Sequence, residues 1–221
     1  ARETRRLLAD MAGCAKRQAR PVSTGVIGLD LPLDPDAQAG PSLLSGLSED
    51  QWPRAAAAIT TTDTVPKLVS QQLDLSGGRI VVTGIAKGSG MICPNMATML
   101  AYVATDAAVA QPLLQQVLDD AVARTFNSIT VDGDTSTNDA CILMASGAAG
   151  AAVESLESED GRLFSRAVRS VCAQLAEMIV RDGEGATKLV RVQVESAYTA
   201  AEARRVAYTV AHSPLVKTAL F

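Results

Sequence analysis

The stretch 79-RIVVTGIAKGSGMICPNMATMLAYVATDA-107 sets two apolar runs on either side of a glycine- and proline-broken loop. RIVVTGIAK (79–87) reads as a buried strand, and ATMLAYVATDA (97–107) reads as a second. The loop between them runs from Lys87 through Gly88 and Gly90 to Pro94 and does not enter a helix. Elements that come in runs, without strict strand–helix alternation, point to an α+β fold of layered helices and sheets. A doubly wound parallel sheet would need the alternation.

Outward from this stretch the periodicities continue. QPLLQQVLDDAVARTF (111–126) places Leu114, Val117, Leu118, Ala121 and Val122 at helical spacing, and SITV (128–131) and ACILMAS (140–146) predict short strands flanking a polar loop. After the acidic ESLESED (154–160), Phe164, Val168, Val171, Cys172, Leu175 and Ile179 form the apolar stripe of the clearest helix, with arginines opposite. LVRVQVE (189–195) alternates strictly and predicts a half-buried strand, and TAAEARRVAYTVAH (199–212) returns to helix. Toward the N-terminus, residues 3–18 predict a helix carrying Leu7, Leu8 and Met11 on one face. PVSTGVIG (21–28) has strand character, and LDLPLDPDAQAGPS (29–42) predicts a loop. Ser48 with Gln51 resembles a capping box before an alanine-rich helix reaching about Ile59, and TTTDT (60–64) is a strand end or loop.

Composition narrows the function. The chain has 221 residues, 48% of them hydrophobic, enough for a sizeable core in one large domain or two tightly packed ones. A net charge of -4 argues against a nucleic-acid binder, which would carry a basic face. No apolar run is long enough to span a bilayer, and no signal peptide opens the chain. Cys14, Cys93, Cys141 and Cys172 are widely spaced, fit no metal pattern and read as reduced thiols of a cytosolic protein. The single histidine, His212, excludes metal sites built from several histidines, and a Ser-His-Asp triad would depend on it alone. The chain opens without methionine in ARETRRLLADMAG and closes in LVKTALF, which predicts the middle of a longer polypeptide.

Two ligand motifs fail on inspection. A phosphate loop needs lysine after its glycines, whereas Lys87 precedes them; a dinucleotide fingerprint needs a third glycine where Cys93 stands. DGDTSTND (132–139) is not an EF-hand, because Thr137 and Leu143 occupy the glycine and glutamate positions. A loop of Asx and Ser/Thr turns accounts for it.

Thr98 leaves two readings open. It is the entry to a buried strand, or it is a nucleophile. A threonine hydroxyl needs an adjacent base, and with one histidine in the chain the economical one is the threonine's own α-amino group, released by cleavage of Ala97–Thr98. That amine titrates at about 7.7–8.0, close to working pH. Gly88, Gly90 and Pro94 supply the backbone freedom and restriction that a strained cleavage turn requires.

Six segments resolve the choice by resemblance. KGSGMI-x-PNMATML (87–100), STGVIG (23–28), TTDTVPK (61–67), DGDTSTND (132–139), EGATK (184–188) and SPLVKTALF (213–221) closely resemble, in the same order, signature stretches of the ornithine acetyltransferase family. The resemblance implies a self-processing fold of layered helices and sheets. Residues 1–97 would form the C-terminal part of an α segment and residues 98–221 the N-terminal part of a β segment, together one interlocked catalytic unit. It implies a cytoplasmic enzyme of arginine biosynthesis that moves acetyl from N2-acetyl-L-ornithine to L-glutamate. Bifunctional members also use acetyl-CoA. No metal or organic cofactor is expected, and two α and two β segments would associate as a heterotetramer.

Carried over residue by residue, Thr98 is the autoproteolytic residue and acyl-carrying nucleophile, and the Thr24 hydroxyl with the Gly25 N–H forms the oxyanion hole. Thr61, Lys87, Thr98 and Glu184 contact substrate, Lys87 suiting a carboxylate and Glu184 an ammonium. Asp63, Asp134 and Asn138 shape the site without an assigned role. Family members are longer, and their tail adds an asparagine and a Ser/Thr to the substrate site. Thr60 stands where methionine often precedes TTDT. An N-terminal-threonine amidohydrolase and a non-catalytic fragment are the rival readings.

Overall fold

The computed structural model describes residues 2–23, 28–93, 99–134 and 139–220. It divides into two units, Ala1–Trp52 and Pro53–Phe221.

In the first unit, α1 (Arg2–Ala12) and α2 (Asp34–Ser45) are the helices, with 3-10 turns at Lys16–Gln18 and Glu49–Gln51. The helix expected over 3–18 stops early because Gly13 takes φ 64°, the left-handed conformation that ends helices. The loop expected over 29–42 is largely helix. Pro35 falls in the first turn of α2, where a missing N–H costs nothing, and Asp34 and Asp36 complement the positive helix end. Ser48 caps the second 3-10 turn, its Oγ accepting the Asp50 N–H at 3.4 Å.

The second unit holds most of α3 (Trp52–Ala58), then β1 (Lys67–Leu75), β2 (Gly78–Lys87), β3 (Leu100–Thr105), β4 (Ala108–Val109), α4 (Gln111–Arg124), β5 (Ala140–Ala145), β6 (Ala152–Val153), α5 (Glu159–Arg181), α6 (Ala200–Ala211) and α7 (Pro214–Leu220). Among the described residues, one sheet runs β1-β2-β3-β5, with β1, β2 and β3 antiparallel and β5 parallel to β3. The short β4 and β6 pair in parallel. This is the expected α+β arrangement.

The core lies between the sheet and α5. Ile80, Val82 and Val103 from the strands meet Phe164, Val168, Val171, Leu175 and Ile179, so the predicted stripe of α5 is buried. Ser158 caps α5, accepting the Gly161 N–H at 3.0 Å, and Glu159 and Asp160 occupy its first turn. The helix comes unusually close to β2 at Gly84, where an added Cβ would sit 2.8 Å from Val171 and 2.9 Å from Leu175.

Two strand readings change, and one strand lies in a stretch for which none is expected. That strand is β1, where Lys67 and Gln71 occupy positions an apolar residue would usually hold. SITV (128–131) forms no strand: Phe126–Ser128 is a 3-10 turn, and Val131 makes a single backbone bond to the Ile92 carbonyl at 2.8 Å. LVRVQVE (189–195) carries no ladder, and although Val192 and Val194 are half-buried, Leu189 is 39% and Val190 47% exposed. Alternation creates a sided segment, but a strand also needs a neighbour's backbone.

Candidate active site

β2 ends at Lys87, which pairs with Leu100 of β3 and is only 2% exposed. Its Nζ donates to Thr61 Oγ1 at 3.2 Å. Burial holds the Lys87 ammonium below the ordinary 10.5, while Asp63 and Asp139 oppose that shift.

The loop after Lys87 is bent by Gly88 at φ 152° and Met91 at φ 54°. The left-handed Met91 is unusual for a side chain of its size, and Asp132 holds it in place. The Asp132 carboxylate accepts the Met91 N–H at 2.5 Å and the Ile92 N–H at 3.0 Å. It also accepts the Asp134 N–H at 3.1 Å, an Asx turn of the kind expected for this segment. Ser89 joins the loop to the residues following α5: its Oγ donates to the Asp182 carbonyl at 2.6 Å, and its own carbonyl accepts the Glu184 N–H at 3.0 Å. A Cβ on Gly90 would lie 2.7–2.8 Å from the Glu184 carboxyl group. Gly90 therefore makes space for Glu184, a use beyond the backbone freedom read from its type.

Beneath this loop Lys67 is fully buried. Its Nζ lies 2.5 Å from Asp63 Oδ1 and 2.6 Å from Asp182 Oδ2. Asp63 also accepts the Gly88 N–H at 2.7 Å and the Thr61 N–H at 3.2 Å. Asp182 accepts the Thr64 N–H at 3.0 Å and the Thr64 hydroxyl. Burial alone would raise both carboxyls, but these donors outweigh it and hold each below the usual range.

Asp139 behaves oppositely. Its Oδ1 accepts the Met99 N–H at 2.7 Å, and its buried Oδ2 has no hydrogen-bond partner among the described residues. Burial pushes this carboxyl up, against the pull of the Met99 amide and Lys87.

Of the residues singled out from sequence, Thr61, Lys87 and Glu184 converge on the loop 87–90. Thr24, Gly25, Ala97, Thr98 and Asn138 lie outside the described residues. Lys67, Asp132, Asp139 and Asp182 were not singled out. Lys67, Asp132 and Asp139 fall inside the signature segments TTDTVPK and DGDTSTND, whose resemblance gave them no role; Asp182, 115 residues after Lys67, lies in no such segment.

Other chemistry is poorly served. His212 Nε2 faces Cys93 Sγ at 3.5 Å and Thr130 Oγ1 at 3.2 Å, so its neighbours are a thiol and a hydroxyl. Burial raises the Cys93, Cys141 and Cys172 thiols, Cys172 to about 12, which disfavours a thiolate nucleophile at neutral pH. No group of three metal-ligating side chains occurs among the described residues, and none of their helices is long and apolar enough to cross a membrane. A cavity of about 750 Å³ includes Glu184 but not Thr61 or Lys87, and Val180, Val190, Val192 and Tyr208 are among its walls. The polar group around the loop 87–90 is the better candidate for chemistry. A buried ammonium beside a hydroxyl, with a separate carboxylate over Gly90, offers opposite charges to a ligand carrying both a carboxylate and an ammonium.

Comparison with known proteins agrees with this reading of the segments. The chain is 55% identical over 221 residues to the arginine biosynthesis bifunctional protein ArgJ of Methylococcus capsulatus, covering all of this chain and 54% of that protein. It is 50% identical over 224 residues to the proteins of the same name from Pseudomonas fluorescens and Pseudomonas syringae pv. tomato, covering 55% of each. The chain thus spans about half the length of these relatives. The crystal structure of arginine biosynthesis bifunctional protein ArgJ from Bacillus halodurans superposes with a TM-score of 0.50 at 46% identity, over 52% of this chain and 55% of that one. The ArgJ family model matches residues 1–221 from end to end, and the chain belongs to that family.

Proposed function

We propose that this chain carries the nucleophile and much of the substrate grip of an acetyltransferase of arginine biosynthesis, moving acetyl from N2-acetyl-L-ornithine to L-glutamate. The observation that supports it most is the convergence of Thr61, Lys87 and Glu184 on one loop, in a chain of the ArgJ family. Charges of both signs beside a hydroxyl suit donor and acceptor alike, since both are amino acids.

In this reading the chain is cut between Ala97 and Thr98. The freed α-amine of Thr98 takes the Oγ proton as Oγ attacks the acetamide carbonyl, and the Thr24 hydroxyl and Gly25 N–H stabilise the oxyanion. The carbonyl–nitrogen bond then breaks, the proton passes to the departing ornithine amine, and an acetyl ester remains on Thr98. Glutamate's amine attacks that ester, and N-acetylglutamate leaves as the Thr98 hydroxyl is restored. Acetyl-CoA is a second donor in the bifunctional form of the activity. No cofactor is needed, and two copies of each segment stay associated as a heterotetramer.

Intact mass and a denaturing gel test the processing step. Two pieces meeting at Ala97/Thr98 are expected, with a single band for Thr98→Ala. A full-length protein that never splits, or that releases acetate from acetylornithine at the same rate without glutamate, would overturn the proposal. The latter result would favour an amidohydrolase.

A further inference from the structure

We infer that Lys67 is a positioning residue for this transfer: its buried ammonium, shared by Asp63 and Asp182, holds Thr61, Lys87 and Glu184 in one arrangement. The inference rests on the acetyltransferase reading above and extends it to residues that need not touch a ligand.

Each carboxylate of the triad ties down backbone next to a gripping residue. Asp63 accepts the N–H of Thr61 itself and of Gly88, the residue after Lys87. Asp182 bonds Thr64 through its side chain, and its carbonyl accepts Ser89 Oγ, while Ser89 in turn receives the Glu184 N–H. Three segments distant in sequence, 61–64, 87–90 and 182–184, are thereby referenced to one ammonium. Buried charge triads are seldom the most stabilising way to fill a core, since two or more charges must lose water. Retaining one here is explained by its geometry: charge-assisted bonds are short and directional, and an apolar residue at position 67 could not aim them.

The triad also governs Lys87. Asp63 attracts Lys87 as well as Lys67. With Lys67 neutralising Asp63, the Lys87 ammonium remains beside Thr61 for a ligand carboxylate.

Steady-state kinetics of the full-length, processed enzyme separate positioning from mere stability. Lys67→Met is expected to raise KM for acetylornithine by roughly tenfold or more, with kcat and processing at Ala97/Thr98 much less affected. Adding Asp182→Asn should recover part of that loss by removing one unpaired carboxylate. Should Lys67→Met fail to fold, Asp182→Asn alone, which keeps the Lys67–Asp63 pair, should still raise KM several-fold. A folded, processed Lys67→Met, or in its absence Asp182→Asn, with wild-type KM would overturn the inference while leaving the acetyltransferase reading intact. A wild-type enzyme that neither binds acetylornithine by calorimetry nor transfers its acetyl group would sink both.

Discussion

At the scale of single residues, the loop 87–90 shows how much one side chain, or its absence, decides. Lys87 is a strand-end lysine that burial makes less basic, and Thr61 is the hydroxyl it donates to. Gly90 is less obvious, because its value lies in what it leaves open. In Gly90→Ala the new Cβ would sit 2.7 Å from the Glu184 carboxyl carbon, and the flexible Glu184 side chain, not the backbone, would give way. Stability should change by no more than about 0.5 kcal/mol. The measured effect should be a several-fold rise in KM for acetylornithine, whose free ammonium Glu184 is proposed to face. A large drop in melting temperature with unchanged KM would show that Gly90 serves the backbone instead. The identities of Thr61, Lys87 and Glu184 were legible from short motifs because each motif is contiguous. Lys67 was not, because its meaning depends on Asp182.

At the scale of elements, the long helix α5 and strand β2 define the second unit's core. Their apolar patterns were plain in the sequence, since a helix stripe and a buried strand are local periodicities. Their separation was not, and it is set by Gly84. Gly84→Ala would press a methyl group against Val171 and Leu175, which are fully buried and already in contact with the sheet. Overpacking of this kind costs about 1–3 kcal/mol, which a denaturant titration should detect as a lower midpoint at unchanged slope. β1 lacks a clear apolar alternation because Lys67 and Gln71 sit among its inward positions, whereas 189–195 alternates in its valines and carries no ladder. The two departures have one origin. Sidedness is a property of a segment, whereas a ladder is a property of a pair.

At the scale of the whole molecule, the buried charges make a prediction about acid. Asp63 and Asp182 are held below their ordinary 3.8, so what they contribute to stability is complete above about pH 4 and is lost as pH falls through their lower folded values. Asp139, raised by burial, works with the opposite sign and is relieved when protonated. Thermal melts should therefore rise slightly as pH falls from neutral toward about 4, by the share Asp139 gains on protonation, and fall below it as Asp63 and Asp182 are protonated. Asp182→Asn keeps the Lys67–Asp63 pair but loses the charge-assisted bonds to Lys67 and Thr64, so it should be less stable at pH 7 by about 1.5–3 kcal/mol and should lose less on acidification. A variant that melts in parallel with wild type at every pH would refute this assignment of charge. Fold class, the main helices, the central strands and family membership all follow from residues close together in the chain, where propensity, periodicity and motif act. The register of the sheet, the burial of Lys67 and the meeting of Thr61, Lys87 and Glu184 arise only in three dimensions. They rest on contacts such as Lys67 with Asp182, 115 residues apart, and no local pattern encodes a partner at that distance.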